Sequence, residues 1–310
     1  MDENQVISWL LESKIPTIRY KTLLELRELT HDHPDCSSEY QMIQASGPVQ
    51  AILNQQVEPG KWKYPNHYYT PKYTSTHWSM MLLEELYCDS DEPRFQAGID
   101  FMLSATQENI EKYKNTGWSC LWGNIIRYCL HGKRSDDHRL KNMIGLTAES
   151  LLHKRCTCDW NWQMACVWGA ARSIWGLIKI PQKDRSNLIN EAIKTGMDFV
   201  LENCNLIISN QDLEVEKQTH PIWYKLNFPL FYQSDILFVL SLLLDIDDLH
   251  NPLAKNLLIW LKSKQKQNGR WQGSSPYRQR TYSVLGTPEE TSRWVTLQAT
   301  TILKKARFNA

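Results

Sequence analysis

The chain has 310 residues, and its 35 Lys and Arg balance 34 Asp and Glu to a formal net charge of +1. This balance, with no basic stripe, argues against nucleic acid or an anionic membrane surface as the main partner. The first residues are acidic and no apolar run reaches roughly 18 residues, so no transmembrane segment is predicted. We expect a soluble, cytoplasmic protein whose eight cysteines are reduced thiols.

The sequence predicts helices separated by short polar breaks, without strand-like alternation over any length. Pro16 and Pro93 fit the first turns of helices over residues 17–29 and 94–103. Similar helical patterns continue as far as residue 306 and form about six pairs. No linker or shift in composition divides the chain. We therefore predict an all-α fold in a single domain, residues 1–310, with repeat motifs clearest from 56 to 306.

The second helix of several pairs is apolar on nearly every side, as over residues 165–177 and 235–244. Such helices have to be enclosed on all sides. Their partners, such as the helix over residues 191–202, carry charge on one face and suit an outer layer. The pattern predicts an inner and an outer ring of helices, which is an α/α toroid of about six helical hairpins.

A short motif, Gln-x-x-x-Gly-x-Trp, occurs twice, at residues 56–62 and 265–271. In each copy we expect the Gly to supply the positive φ of a helix C-terminus and the Trp to anchor the exit turn. The motif, the hairpin period and the apolar inner helices resemble the terpenoid cyclases and the β subunits of protein prenyltransferases. From residue 56 onwards the chain is similar to single-toroid bacterial proteins described as prenyltransferase-like or squalene-cyclase-like.

A second repeat places Cys-x-Trp-Gly at residues 120–123 and again at 166–169. Trp78, Trp122 and Trp168 are then equivalent positions near the starts of successive inner helices, with Trp294 as a fourth candidate. Equivalent tryptophans on a ring converge on its axis, where aromatic faces hold an apolar chain or stabilise a carbocation. The predicted substrate-binding residues are Trp78, Trp122, Trp168, Trp223, Trp294, Tyr73 and Tyr232.

The resemblance implies a protein that binds an isoprenoid or another apolar substrate in an aromatic central cavity. Its reaction stays unassigned, because no Asp-Asp-x-x-Asp diphosphate motif occurs. In addition, Met164 and Gln233 stand where the prenyltransferases have two of their three zinc ligands. The alternative is a non-catalytic toroid that binds a peptide or a lipid, and a partner subunit is compatible with both interpretations.

Three residues are candidates for acid–base chemistry. Asp247 is the middle carboxyl of Asp245-Ile-Asp247-Asp248, which matches the Asp-x-Asp-Asp acid motif of type II terpene cyclases. This motif follows an apolar helix instead of opening one, so the competing interpretation is a solvated turn. His77 and His220 lie near predicted inner-helix starts and are candidate acids or bases, or they cap helices.

Cys120, Cys158, Cys166 and His220 are the candidate metal ligands. They offer soft groups at one end of the predicted toroid, and zinc binds four such groups in a tetrahedron. In the competing interpretation Cys120 and Cys166 are small apolar core residues between crowded helices. Zinc is the one cofactor that the sequence suggests.

Overall fold

The computed structural model describes residues 3–112, 119–209 and 219–308, and it is 63% helix and 3% strand. The all-α prediction is confirmed at this level. The helices are α1 (Glu3–Leu11), α2 (Pro16–Glu25), α3 (Pro34–Ala45), α4 (Gly47–Leu53), α5 (Thr76–Glu85), α6 (Pro93–Lys112), α7 (Ser119–His131), α8 (His138–Lys154), α9 (Val167–Leu177), α10 (Asn187–Ser209), α11 (Ile236–Asp245), α12 (Lys255–Ser263) and α13 (Pro288–Lys305).

Short strands form two small sheets between the helices. β1 (Gln56–Glu58) pairs antiparallel with β2 (Lys61–Trp62), and β3 (Leu226–Asn227) pairs parallel with β4 (Gly273–Ser274). The first sheet is the first copy of the Gln-x-x-x-Gly-x-Trp motif, which forms a hairpin that the sequence did not predict. Turns of 3₁₀ helix span Asp159–Asn161, Gln182–Asp184, Pro221–Tyr224, Pro252–Ala254 and Ser283–Leu285.

The helices divide into enclosed ones and ones with a solvent face. Every residue from Thr76 to Glu84 of α5 is buried, and so is every residue from Gly169 to Leu177 of α9. In contrast, α10 buries one face and leaves its charged side chains exposed, as at Glu191. This is the difference that the apolar and amphipathic patterns predicted.

Six helices, α2, α5, α7, α9, α11 and α13, all contribute side chains to one central cavity, and we call them the central helices. Neighbours along the series contact each other, from α5 to α7, α9, α11, α13 and α2. The end of α5 is joined to α2, because the Thr17 hydroxyl donates to the Leu86 carbonyl at 2.8 Å.

The glycines of the Cys-x-Trp-Gly repeat allow close packing at the starts of two central helices. A Cβ atom on Gly123 of α7 would overlap the Arg172 carbonyl of α9. A Cβ atom on Gly169 would lie 3.0 Å from the Cβ atom of Cys156. The repeat therefore reflects a packing requirement between α7, α9 and the chain that precedes α9.

The two Gln-x-x-x-Gly-x-Trp copies have equivalent surroundings. The backbone N–H of Trp62 donates to the Thr76 hydroxyl at 3.1 Å, and that of Trp271 donates to the Thr296 hydroxyl at 3.0 Å. Each indole N–H donates to a carbonyl ten residues earlier, at 2.7 and 2.8 Å. The glycines have the predicted positive φ, +74° and +78°. They lie in turns beyond the ends of α4 and α12, and not at the helix C-termini that the sequence predicted. Each motif thus ties an outer helix to the central helix that follows.

This equivalence corrects the register predicted for Trp294. Thr296 of α13 takes the place of Thr76 of α5, because both hydroxyls accept from the motif tryptophan. Trp78 therefore corresponds to Gln298, and Trp294 lies one turn too early to match it. The physical reason is the longer connection before α13, which lets this helix begin at Pro288, well before its motif contact.

Candidate functional site

The central cavity has a volume of about 210 Å³. It lies among the C-terminal halves of α2, α5, α7 and α9 and is completed by α11 and α13. Charged groups dominate its walls, with a few aromatic rings between them. The residues that border it are Lys21, Glu25, Glu84, Glu85, Tyr87, Arg127, His131, Trp175, Lys179, Phe238, Ser241, Asp245, Trp294 and Gln298.

Glu84 anchors an ion-pair network on one wall. Its carboxylate lies 3.1 Å from the Arg127 Nε and 3.4 Å from the Lys179 Nζ, and Arg127 reaches Asp245 at 3.6 Å. Burial alone would raise the pKa of Glu84, but Arg127 and Lys179 outweigh burial and lower that pKa to about 2. Glu84 is therefore ionised at every physiological pH.

A second ion pair closes the wall formed by α2. The Lys21 ammonium lies 3.1 Å from the Glu25 carboxylate, which also accepts a hydrogen bond from the Thr301 hydroxyl at 2.9 Å. Burial would lower the pKa of Lys21, but the charge of Glu25 outweighs burial and the pKa rises. Lys21 is therefore charged and held by its own helix.

Glu85 differs from these acidic neighbours. Within the described ranges, neither a hydrogen bond nor an ion pair reaches its carboxyl group. Burial raises the pKa of Glu85 to about 7, Arg172 opposes this rise and the charge of Glu84 adds to it. Glu85 is therefore a carboxyl group that exchanges a proton near neutral pH inside a cavity, which is a common property of functional carboxyls.

Arg172 of α9 lies close enough to Glu85 to act on its pKa, and both side chains border one small void. Its Nε donates to the Gln233 carbonyl at 3.0 Å, and its guanidinium lies 4.0 Å from the centre of the Phe238 ring. Burial lowers the pKa of Arg172 to about 10, although Glu85 and Asp235 oppose this, so the group stays charged. Arg172 is therefore a fixed cation beside Glu85.

A small void of about 10 Å³ separates Glu85 from Asp235, and Arg172 and Asn227 also border it. This volume suits about one water molecule. Asp235 accepts 2.8 Å hydrogen bonds from the backbone N–H groups of Phe238 and Asn227, which makes it the N-cap of α11. Burial raises the pKa of Asp235 to about 6 in spite of these bonds.

Trp294 is the one predicted substrate-binding residue that borders the central cavity. Its side chain is 2% exposed and stacks on Phe228 with ring centres 4.0 Å apart. Its indole N–H has no hydrogen-bond partner in the part of the chain that the structure describes. Such a buried donor costs about 1–3 kcal/mol unless something accepts from it.

The other predicted aromatic residues, apart from Trp122, meet at the opposite ends of the central helices. Trp78, Tyr73 and Phe231 are buried, and the rings of Tyr73 and Phe231 stack with centres 4.5 Å apart. The Trp78 indole N–H donates to the Tyr69 carbonyl at 2.8 Å. We call this group the aromatic cluster, and it consists of Tyr69, Tyr73, Trp78, Phe231, Tyr232 and Tyr277.

Trp168 connects the aromatic cluster to the Pro221–Tyr224 turn. It is half-buried, stacks on Trp223 at 6.2 Å and meets the edge of Tyr232 at the same distance. Trp122 is 2% exposed in α7. The structure thus brings Tyr73, Trp78, Trp168, Trp223 and Tyr232 together, but away from the central cavity.

The three candidate acid–base residues lie outside the central cavity. His77 is buried, and its Nδ1 lies 3.4 Å from the Tyr128 hydroxyl. Burial, reinforced by Arg172, lowers the pKa of His77 to about 3, so the ring is neutral. His220 is exposed and accepts from the Ile222 N–H at 3.2 Å, which is a capping role.

Asp247 lies in a solvated turn, as the competing interpretation of its motif predicted. It is exposed after α11 with φ of +56°, a region that Asp tolerates. Asp245, from the same sequence motif, does border the central cavity. The match to the acid motif of the cyclases therefore does not place Asp247 in this site.

The candidate metal ligands are only partly brought together. The Cys158 thiol is hydrogen-bonded to Cys166, and Cys120 is close enough to raise the pKa of Cys166. Burial, with a contribution from Cys158, raises the pKa of Cys120 itself. The Cys166 Sγ accepts the Gly169 N–H at 3.3 Å, while the His220 ring meets the edge of Trp168. Across residues 3–112, 119–209 and 219–308, no three His, Cys, Asp or Glu side chains are arranged to hold a metal ion. All eight cysteines are free thiols in the structure.

Sequence reasoning missed the charged residues of the central cavity. The available signal was their placement inside helices that are otherwise apolar: Glu84 and Glu85 end the buried run of α5, and Arg127 and Arg172 interrupt α7 and α9. A charge in an enclosed helix needs a partner or a cavity.

No family model, curated protein or solved structure matches the chain in comparisons with known proteins. None of the helices in the described ranges is long and apolar enough to cross a membrane. Inference about function therefore rests on the site geometry and on the resemblance of the repeat motifs.

Proposed function

We propose that the chain is an α/α toroid of six helix pairs, of the kind that terpenoid cyclases and protein prenyltransferase β subunits build. Two observations support this proposal. The six central helices contact one another in series and border one cavity, and each follows a helix that packs outside it. Both Gln-x-x-x-Gly-x-Trp copies tie an outer helix to the next central helix by the same hydrogen bonds.

In this proposal the toroid binds a small polar molecule in the central cavity, and Glu85 gives a proton to it or takes one from it. The observation that carries the proposal is the position of Glu85. Its carboxyl group faces a cavity of about 210 Å³ with no partner among the described residues, and its pKa is raised to about 7. Other carboxylates of the walls are already held in ion pairs.

The charged walls of the central cavity favour a polar ligand over a purely apolar one. Four carboxyl groups and three basic groups border the central cavity, apart from His131. Burying these groups under a hydrocarbon chain costs several kcal/mol for each ion that loses its solvation. A diphosphate would meet an excess of carboxylates. A polar molecule of modest size satisfies the walls better.

A ligand screen with a blocked cavity tests this function. We expect small polar molecules that raise the melting temperature of the wild-type protein to lose this effect in Ser241→Trp, because the indole fills the cavity. Ser38→Trp, on the exposed face of α3, is the matched control and keeps the effect. Circular dichroism checks that both variants fold. Ligands that stabilise wild type and Ser241→Trp equally would contradict the proposal.

A second candidate function is binding of an isoprenoid at the aromatic cluster. The observation in its favour is that Trp168, Tyr232 and Tyr69 are only half-buried, while the Lys72 ammonium lies 4.7 Å from the Tyr232 ring. Farnesol should then quench tryptophan fluorescence in wild type and in Glu85→Gln, but more weakly in Trp168→Ala.

If neither site binds a small molecule, the non-catalytic toroid that holds a peptide or a lipid becomes the better proposal.

A further inference from the structure

The charges around the central cavity do not balance when Glu85 is ionised. Lys21 is paired with Glu25 at 3.1 Å, and Arg127 and Lys179 are both paired with Glu84. When the small void is included, Arg172 and Asp235 add one charge of each sign. Five carboxyl groups then face four cations, and the carboxyl group without a described partner is Glu85.

The geometry points to an organic ammonium ion as the ligand of the central cavity, held by its positive charge against Glu85. This inference rests on the proposed function and names the ligand class for the same site. An ammonium ion supplies the missing positive charge and gives the unpartnered carboxylate a charge-assisted hydrogen bond or contact. An anion would add a further negative charge to walls that already have an excess.

The organic part of such a ligand also has a place to lie. Trp175, Phe238 and Trp294 border the same cavity as Glu85 and give the carbon substituents of an ammonium ion an apolar surface to lie against. The guanidinium groups of Arg127 and Arg172 already lie over the Trp175 and Phe238 rings, so the charge of the ligand is held by Glu85. The buried indole N–H of Trp294 has no described acceptor, which independently indicates that the polar groups of this region are incomplete without an occupant.

The charged groups around Glu85 set how binding depends on pH. Lys21 and Glu25 face it from α2, Glu84 lies beside it on α5, and Tyr87 follows that helix. Arg127 and His131 face it from α7, Arg172 from α9 and Lys179 from the residues just after α9. Asp235 lies across the small void. On the remaining sides, α11 offers Asp245 and α13 offers the uncharged Gln298. Since the pKa of Glu85 is about 7, an ammonium ligand has to displace a proton from part of the population at neutral pH.

Calorimetry with a charged probe and its neutral isostere tests this inference. The probes are choline and n-butylammonium, with 3,3-dimethylbutan-1-ol as the uncharged isostere of choline and pyrophosphate as the anion. We expect at least one ammonium probe to bind wild type and to bind Glu85→Gln about tenfold more weakly or worse. The affinity should rise about tenfold from pH 6 to pH 8, as the competent fraction of Glu85 increases. Glu58→Gln, which alters an exposed pair with Lys61, is the matched control and should bind like wild type.

Two results would overturn the inference. The first is a lack of dependence on the charge: choline and its uncharged isostere bind equally well, or the ammonium probes bind Glu85→Gln as tightly as wild type. The second is binding of the isostere or of pyrophosphate, but of neither ammonium probe, with loss of that binding in Ser241→Trp. That second result leaves the proposed function intact and rejects only the ligand class. Failure of every probe and of the wider screen rejects both.

Discussion

The two ends of the central helices are built from different chemistry. At their beginnings, Trp78, Tyr73 and Phe231 interlock into the buried aromatic cluster. At their ends, Glu84, Glu85 and the basic groups around them border a cavity. The same helices therefore carry a packed half and a charged half with space for a ligand. The comparison teaches that the aromatic residues, which dominate the sequence, contribute mainly to stability, whereas the charged residues are better placed for function.

The largest effect is expected from a change in the packed half. Trp78→Ala removes a fully buried indole and its hydrogen bond to Tyr69, so the free energy of unfolding should fall by about 3–5 kcal/mol. Trp160→Ala is the matched control, since that side chain is 84% exposed, and it should change the free energy by less than about 0.5 kcal/mol. Urea titration measures both. Equal effects would show that the aromatic cluster is not a packed core.

A smaller loss of stability is expected from a substitution in the charged half. Glu84→Gln leaves Arg127 and Lys179 without their shared carboxylate, and the free energy of unfolding at pH 7 should fall by about 2–3 kcal/mol. Because the pKa of Glu84 is lowered to about 2, its stabilising effect is complete above about pH 4.5 and is lost as pH falls towards 2. Urea titrations from pH 2 to 8 test this profile. A difference that does not depend on pH would contradict it.

Glu85, the neighbour of Glu84, should have the opposite effect on the pH dependence of stability. The pKa of Glu85 is about 7 in the folded protein against 4.5 as the ordinary value, so wild-type stability falls as pH rises from about 4.5 to 7. Glu85→Gln lacks this loss. Its free energy of unfolding should exceed that of wild type by roughly 1–3 kcal/mol at pH 8 and match it near pH 4. A destabilised Glu85→Gln at pH 8 would mean that Glu85 has a structural partner.

The smallest changes concern the repeat motifs, which lie outside both halves. Trp62→Phe and Trp271→Phe each remove one indole hydrogen bond to a carbonyl ten residues earlier, so each should cost about 1–2 kcal/mol. Their equivalent surroundings predict costs that agree within about 0.5 kcal/mol. Neither variant should alter ligand binding or the pKa of Glu85. A binding defect in either would connect the motifs to the site.

Particular residues show which parts of the fold can be predicted from the sequence. The glycine and tryptophan of each motif predicted their own geometry, because φ at Gly60 and Gly269 and the anchoring role of Trp62 and Trp271 are local properties. The alternation of enclosed and amphipathic helices was equally readable, since burial follows side-chain polarity. The register of Trp294 was not readable, because it depends on the long connection between Trp271 and α13.

The site was harder to predict than the fold. Glu85 is an ordinary glutamate in a linear sequence, and its raised pKa comes from six helices that meet at one place. Asp247 is the middle residue of the acid motif, but it lies in an exposed left-handed turn and does not border the cavity that Asp245 borders. The chemistry of the central cavity therefore depends on which turn of each central helix borders it, and short motifs do not encode that.

The titration of Glu85 tests the account most directly. In protein labelled with ¹³C at the Glu side-chain carboxyl, NMR across pH 3 to 9 follows each carboxyl group, and the spectrum of Glu85→Gln assigns the signal. We predict a midpoint near pH 7 for Glu85, which shifts downwards when choline or n-butylammonium binds. A midpoint near the ordinary value of 4.5 would show that Glu85 is solvated or paired, and would contradict the assignment of the charged half as the functional site.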